Sequence, residues 1–149
     1  MACLDVIMRL VRPGECVIAG DDLYGGSNRL LELLKKQMHI EVDNIDTTDL
    51  VAVEQALQQR AKAHAAGEGA RVALVLLESP TNPMIKIADL AGCTRLVRKY
   101  IPEALVFVDN TMLSPYLMRP LEFGVDIVYH SATKYLSGHH DIMAGVISC

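Results

Sequence analysis

The sequence predicts an α/β fold, a doubly wound and mostly parallel sheet, on three observations. Short apolar segments of strand length alternate with amphipathic segments of helical period along the whole chain. One of them, Val72-Ala73-Leu74-Val75-Leu76-Leu77, is apolar without a break, as a strand covered on both faces must be. Polar residues with chemistry to offer recur just after these segments, at the strand ends where open α/β sheets hold ligands.

The elements follow in order. Ala2 to Arg12 reads as a helix whose stripe is Leu4, Ile7, Met8 and Val11, ended by Pro13-Gly14; no Ser, Thr, Asp or Asn caps its start, so the chain is expected to be cut from something longer. Cys16 to Ala19 is a short buried strand. The loop Gly20-Asp21-Asp22-Leu23-Tyr24-Gly25-Gly26 follows, its paired glycines permitting close backbone approach. Ser27 is the expected cap of a helix carrying Leu30, Leu31 and Leu34, with Lys35-Lys36 at its negative end. His39 to Val42 is the next strand, and Thr47 or Thr48 opens a helix with Leu50, Val53 and Leu57 that runs to a turn at Ala65 to Gly69. After Val72 to Leu77 comes Glu78-Ser79-Pro80-Thr81-Asn82-Pro83, where two prolines restrict the backbone around Asn82. A helix from Asp89 to Lys99 leads to the strand Leu105 to Val108, which ends in Asp109-Asn110-Thr111. A strand at Asp126 to Tyr129 ends in His130-Ser131-Ala132-Thr133-Lys134-Tyr135, and Met143 to Ile147 supplies a last strand.

Composition narrows the function. With 149 residues and 51% hydrophobic content the chain is one domain with a sizeable core. A net charge of -4 with no basic run argues against a nucleic-acid surface and for no membrane partner. No apolar stretch approaches the roughly 20 residues that span a bilayer. Cys3, Cys16, Cys93 and Cys149 are scattered without the short paired spacing of a metal knuckle or redox pair, which suits free thiols in a reducing, cytoplasmic setting. His139-His140-Asp141 has no third ligand at useful spacing, so polar loop residues are favoured over a metal site.

The residues after the strands suit one kind of chemistry. Asp109 leaves an apolar strand, where a carboxylate needs a cation or several donors; an ion pair, a cap on the next turn or a protonated heterocycle would each serve. Ser131 and Thr133 offer hydroxyls to an anionic oxygen such as phosphate, or to the backbone as caps. Lys134 alone would more often be a solvated charge, but amines in such settings also form imines with carbonyls. Tyr24 could stack on a ring or be an ordinary loop aromatic, and Asn82 is a turn residue unless a phenolic oxygen lies near it. An imine-forming lysine, a phosphate holder and an acid that keeps a ring nitrogen protonated are together what pyridoxal phosphate (PLP) requires.

Four motifs stand in order: Asp22-Leu23-Tyr24-Gly25-Gly26-Ser27, Glu78-Ser79-Pro80-Thr81-Asn82-Pro83, Val108-Asp109-Asn110-Thr111, and Ser131-Ala132-Thr133-Lys134 with Gly138-His139 after it. On these the chain resembles, over essentially its whole length, the transsulfuration enzymes of cysteine and methionine metabolism, a PLP-dependent family of the aspartate-aminotransferase fold (fold type I). The resemblance implies that Lys134 carries the cofactor as an imine and takes the substrate's α-proton, that Asp109 meets the pyridinium nitrogen, that Ser131 and Thr133 bind the phosphate, that Tyr24 stacks on the ring and helps hold the incoming amine deprotonated, and that Asn82 reaches the phenolic oxygen. Arg29 and Glu78 carry no definite role by it. Leu77 to Pro83, Ser114-Pro115, Arg119-Pro120-Leu121-Glu122, His130-Ser131 and Met143 to Val146 look most like the family's cystathionine β-lyases. Relatives that cleave at the γ-carbon or make cystathionine share the same machinery.

By the same resemblance, residues 1–149 are expected to be part of the large PLP-binding domain, lacking the N-terminal arm and the small C-terminal domain with its carboxylate-gripping arginine. The implied substrate is a small sulfur amino acid, and the implied assembly a dimer of dimers. A catalytically silent binding or assembly module is the expectation from a different class.

Overall fold

The structure is a computed structural model that describes residues 1–149. Helix α1 (Ala2–Met8) precedes strand β1 (Cys16–Gly20), and then α2 (Gly25–Met38), β2 (Glu41–Ile45), α3 (Leu50–Ala65), β3 (Val72–Glu78), α4 (Leu90–Tyr100) and β4 (Leu105–Asp109) alternate. A short helix α5 (Ser114–Leu117), a 3-10 turn (Pro120–Phe123), β5 (Ile127–Ser131) and β6 (Gly145–Ser148) complete the chain. One six-stranded sheet results, in the order β2-β1-β3-β4-β5-β6, with β1 to β5 parallel and β6 antiparallel to β5. The mostly parallel, doubly wound sheet expected of the sequence is what forms. The 13 residues between Ser131 and Gly145 hold no helix that could carry the chain back across the sheet, so β6 returns antiparallel.

Strand side chains alternate between two apolar layers. Val17, Ala19, Leu74, Leu76, Phe107, Ile127 and Tyr129 face α1 and α2, meeting Leu4, Ile7, Leu31 and Leu34 there. Cys16, Ile18, Val75, Leu77, Val106, Val108 and Val128 face α3 and α4, against Val53, Leu57, Leu90, Cys93 and Val97. Both layers exclude water, which is why Val72 to Leu77 can be apolar throughout. Each fully buried aliphatic contributes about 1.5–3 kcal/mol.

Several boundaries differ from the sequence expectation. Helix α1 stops at Met8, and Arg9 to Val11 continue only as turns. Ser27 does not cap α2: it is buried within the helix, which starts at Gly25 with Tyr24 as its N-cap. His39 lies not in a strand but at the left-handed C-cap of α2 (φ 54°), which delays β2 to Glu41. Asp49, not Thr47 or Thr48, caps α3 by accepting the Val51 N–H, and Asp89 caps α4 by accepting that of Gly92. Strand β5 extends to Ser131, so that residue ends a strand rather than opening a turn.

Candidate functional site

Register decides which polar side chains meet. Glu78 pairs with Asp109 across β3 and β4, and Asp109 pairs with Tyr129 across β4 and β5. Counting by twos from Leu76, Phe107 and Tyr129 puts Glu78, Asp109 and Ser131 on the α1/α2 side of the sheet, at the carboxyl ends of three adjacent strands. They line a cleft of about 910 Å³ together with Tyr24, Asn82, Thr133 and Lys134. All six residues singled out in the sequence are therefore in one place. Arg29 is not: it stands exposed on α2, outside the cleft.

Asp109 is 7% exposed, and burial raises its carboxyl pKa. Thr111 opposes that shift by giving both its backbone N–H (3.0 Å) and its hydroxyl (2.5 Å) to Asp109 Oδ1. Asp109 thus caps its own turn, and Oδ2 is left for whatever fills the cleft. No side-chain cation acts on it. The Thr111 hydroxyl also accepts the Ser131 N–H at 2.8 Å, which ties the end of β5 to the acid.

Glu78 is 5% exposed, and its Oε2 accepts the Tyr24 backbone N–H at 2.8 Å. Burial, then the charges of Asp109 and Asp22, push its pKa up from 4.5 to about 8. That contact fixes the start of α2 and with it the Tyr24 ring, which is 49% exposed over the cleft. Gly26 makes the ring's position possible: a Cβ there would lie 2.4 Å from Tyr24 Cε1.

Asn82 sits on a loop held from beneath. The buried Ser79 hydroxyl accepts the Ala88 N–H (3.1 Å), the buried Thr81 hydroxyl accepts that of Lys86 (2.9 Å), and Thr81 N–H donates to the Lys86 carbonyl (2.9 Å). Asp22 accepts the Met84 N–H at 3.1 Å and Lys86 pairs with Asp21 at 3.6 Å, which latches this loop to the one bearing Tyr24.

Lys134 lies in the turn after β5, its N–H donating to the Ser131 carbonyl at 3.1 Å, and its side chain is exposed at the rim rather than walled by apolar groups. The Thr133 hydroxyl is engaged with Ala144, donating to its carbonyl at 3.3 Å and accepting its N–H at 3.2 Å, and so pins the entry to β6. His139 and His140 also line the cleft, and His139 Nδ1 lies 3.0 Å from the Ser137 carbonyl.

The sequence reading assigned no role to Thr111, Ser79, Thr81 or Asp22. Thr111 was within reach, because Asp-x-Thr after a strand is an Asx-turn pattern whose hydroxyl is free to bridge. The hydroxyl staples of Ser79 and Thr81 depend on how the loop folds back, which local pattern does not reveal.

A family profile described as "Cys/Met metabolism PLP-dependent enzyme" matches residues 1–149. The chain belongs to the Cys/Met metabolism PLP-dependent enzymes. Within the family it is 52% identical over 148 residues to a cystathionine beta-lyase of Neurospora crassa, covering 99% of this chain and 30% of that one. It is 35% identical over 148 residues to the human cystathionine gamma-lyase, covering 99% of this chain and 34% of that one. A solved structure of cystathionine gamma synthase from Xanthomonas oryzae pv. oryzae, in complex with cystathionine, superposes with a TM-score of 0.87 at 37% identity, over 100% of this chain and 35% of that chain. The chain spans about a third of the length of the relatives it matches. The sheet is that of the family's fold type I.

The cleft's donor set fits the family cofactor. PLP needs an anion for a ring nitrogen, donors for a phosphate, an aromatic face and a primary amine. The residues present are a buried acid with one free oxygen and no side-chain cation, two hydroxyl side chains, a half-exposed phenol and an exposed lysine.

Proposed function

We propose that the parent protein of this chain is a PLP-dependent carbon–sulfur lyase of the cystathionine β-lyase type, converting cystathionine to homocysteine, pyruvate and ammonia. The observation that carries the reading is that Asp109, buried without a side-chain cation, and the Lys134 amine open on the same cleft. Identity favours the β-lyases, since the relatives at 52% and 51% identity both bear that name.

When bound, PLP supplies an electron sink for the negative charge that develops at the substrate's α-carbon. Asp109 Oδ2 would hold the ring nitrogen in its charged form, and the Thr111 bonds to Oδ1 favour that carboxylate's ionised form and aim it. The Ser131 and Thr133 hydroxyls would hold the phosphate. The Tyr24 side chain would stack on the ring and help hold the incoming amine deprotonated, and Asn82 would face the phenolic oxygen. Lys134 is the amine that would hold the cofactor's aldehyde and, when free, serve as the base for the α-proton.

We further infer a dimer of dimers in a reducing compartment. Apolar residues stand exposed around the cleft's rim, among them Tyr135 at 71% and Met143 at 94%, and the four cysteines are free thiols. Sedimentation of the complete polypeptide at several concentrations tests the assembly.

The deciding experiment adds PLP to the complete polypeptide and to its Lys134→Ala variant. Visible absorbance of the bound cofactor that is lost in the variant supports the reading; absorbance retained there sinks it. With cystathionine as substrate, pyruvate marks β-cleavage, while its absence favours the γ-lyase or γ-synthase reading, to which the human and Xanthomonas similarities point. Absence of any bound cofactor would favour a silent assembly module.

A further inference from the structure

Two buried acids stand side by side here, and the reading above uses only one of them. Glu78 and Asp109 are register partners on adjacent parallel strands, which lie ~4.8 Å apart. Both side chains leave the same face of the sheet, at 5% and 7% exposure, and both line the cleft. Their hydrogen bonds run in different directions. Asp109 Oδ1 is occupied by Thr111, on the β5 side of the cleft, while Glu78 Oε2 takes the backbone N–H of Tyr24. The Asn82 N–H also faces Glu78.

We propose that Glu78 is a positioning residue for the cofactor ring: from beside Asp109 it holds the Tyr24 backbone, and so sets the stacking phenol relative to the acid that meets the ring nitrogen. The inference rests on the PLP reading of the cleft.

Chemistry explains why a glutamate can do this next to an aspartate. Two carboxylates this close and this buried do not both ionise cheaply, and one of them keeps a proton. The groups facing Glu78 are Asp109 on β4, Asp22 and the Tyr24 N–H on the loop before α2, and the Asn82 N–H on the loop after β3; the Met1 amine acts on Asp109. Asp109 has two donors from Thr111, and Glu78 has backbone N–H groups only, so the proton stays on Glu78. Its burial agrees, raising its pKa to about 8. A neutral Glu78 still accepts the Tyr24 N–H through its carbonyl oxygen, while Asp109 alone presents negative charge to the ring. The acceptor's position matters in this arrangement, and its charge does not.

That separation gives the test. In the complete polypeptide, Glu78→Gln keeps a neutral acceptor at the same reach, whereas Glu78→Asp keeps the acid and withdraws the acceptor by one methylene. We expect Glu78→Gln to bind PLP within about 3-fold of the parent and to keep the circular dichroism band of the bound cofactor. Glu78→Asp should weaken PLP binding about 10-fold, as for one lost hydrogen bond, and diminish that band. The thermal midpoint of the cofactor-free variants reports folding separately. Loss of the band in Glu78→Gln, or an unchanged band and affinity in Glu78→Asp, overturns the proposal. Lys134→Ala in the same series tests the underlying reading: if the cofactor's visible absorbance survives there, that reading has failed, whatever the Glu78 variants do.

Discussion

The Thr111 hydroxyl donates to Asp109 Oδ1 at 2.5 Å and at the same time accepts the Ser131 N–H at 2.8 Å. One side chain of three heavy atoms therefore both opposes the upward pull of burial on the acid and ties the end of the neighbouring strand. Thr111→Val keeps the shape and removes both bonds. It should destabilise the fold by about 1–3 kcal/mol, since the Ser131 N–H and Asp109 Oδ1 each lose a partner in a part-buried site. Thr111→Ser should restore most of it. Urea unfolding of the three forms checks the order; equal stability of Thr111→Val and the parent would show that the bridge carries nothing.

Asp109 itself is expected to be costly for activity and not for folding. Asp109→Asn retains an oxygen for the Thr111 donors but gives up the charge proposed to meet the ring nitrogen, so turnover of cystathionine by the complete polypeptide should fall by at least about 100-fold. Steady-state release of pyruvate measures this. A fall of less than about 3-fold would remove Asp109 from the proposed role.

Glu78 gives a pH signature. Its folded-state pKa is raised from 4.5 to about 8, so across that window the folded chain holds a proton that the unfolded chain has released. Folding stability contributed by this group is therefore full below the window and declines as pH rises through it. Asp109, also raised by burial, contributes a decline in the same direction. Glu78→Gln cannot ionise and should flatten the decline, gaining on the order of a few kcal/mol over the parent by pH 8.5. Denaturant midpoints at pH 5.5, 7 and 8.5 test it; parallel curves for the two proteins would rule it out.

Gly26 separates folding from cofactor stacking. The residue is in the first turn of α2, where alanine is favoured over glycine by roughly 0.5–1 kcal/mol, yet a Cβ there would lie 2.4 Å from the Tyr24 ring. The ring can swing out into solvent, so Gly26→Ala should leave the thermal midpoint unchanged or slightly higher while weakening PLP binding about 10-fold, much as loss of an aromatic contact would. Unaltered PLP affinity would mean that Tyr24 does not stack on the cofactor.

The sheet and the gathering of the site were legible in the sequence because both follow from short-range pattern. Unbroken apolar runs such as Val72 to Leu77 mark strands with two covered faces, and the polar residues at their exits had to collect at one edge. The start of α2 was not legible in the same way. Ser27 has the chemistry of a cap, but the real partner of the helix start is Glu78, 54 residues from Tyr24, and only the folded sheet brings them together. The identity of the bond to Thr133 was hidden for a similar reason, since Ala144 reaches it only after β6 doubles back. His39 shows the opposite failure: its neighbours Ile40 to Val42 suit a strand, but the chain needs a left-handed residue to leave α2, and that local demand wins.

The parity of β4 has one more consequence. Phe107 and Asp109 share a side of the sheet and Val108 has the other, so a one-residue slip in pairing would turn a valine toward the cofactor and drive a carboxylate into the oil between the strands and α3 and α4. Misassembly is thus self-punishing: the same error that empties the cleft of its acid also buries a carboxylate without a partner, which costs the slipped form stability.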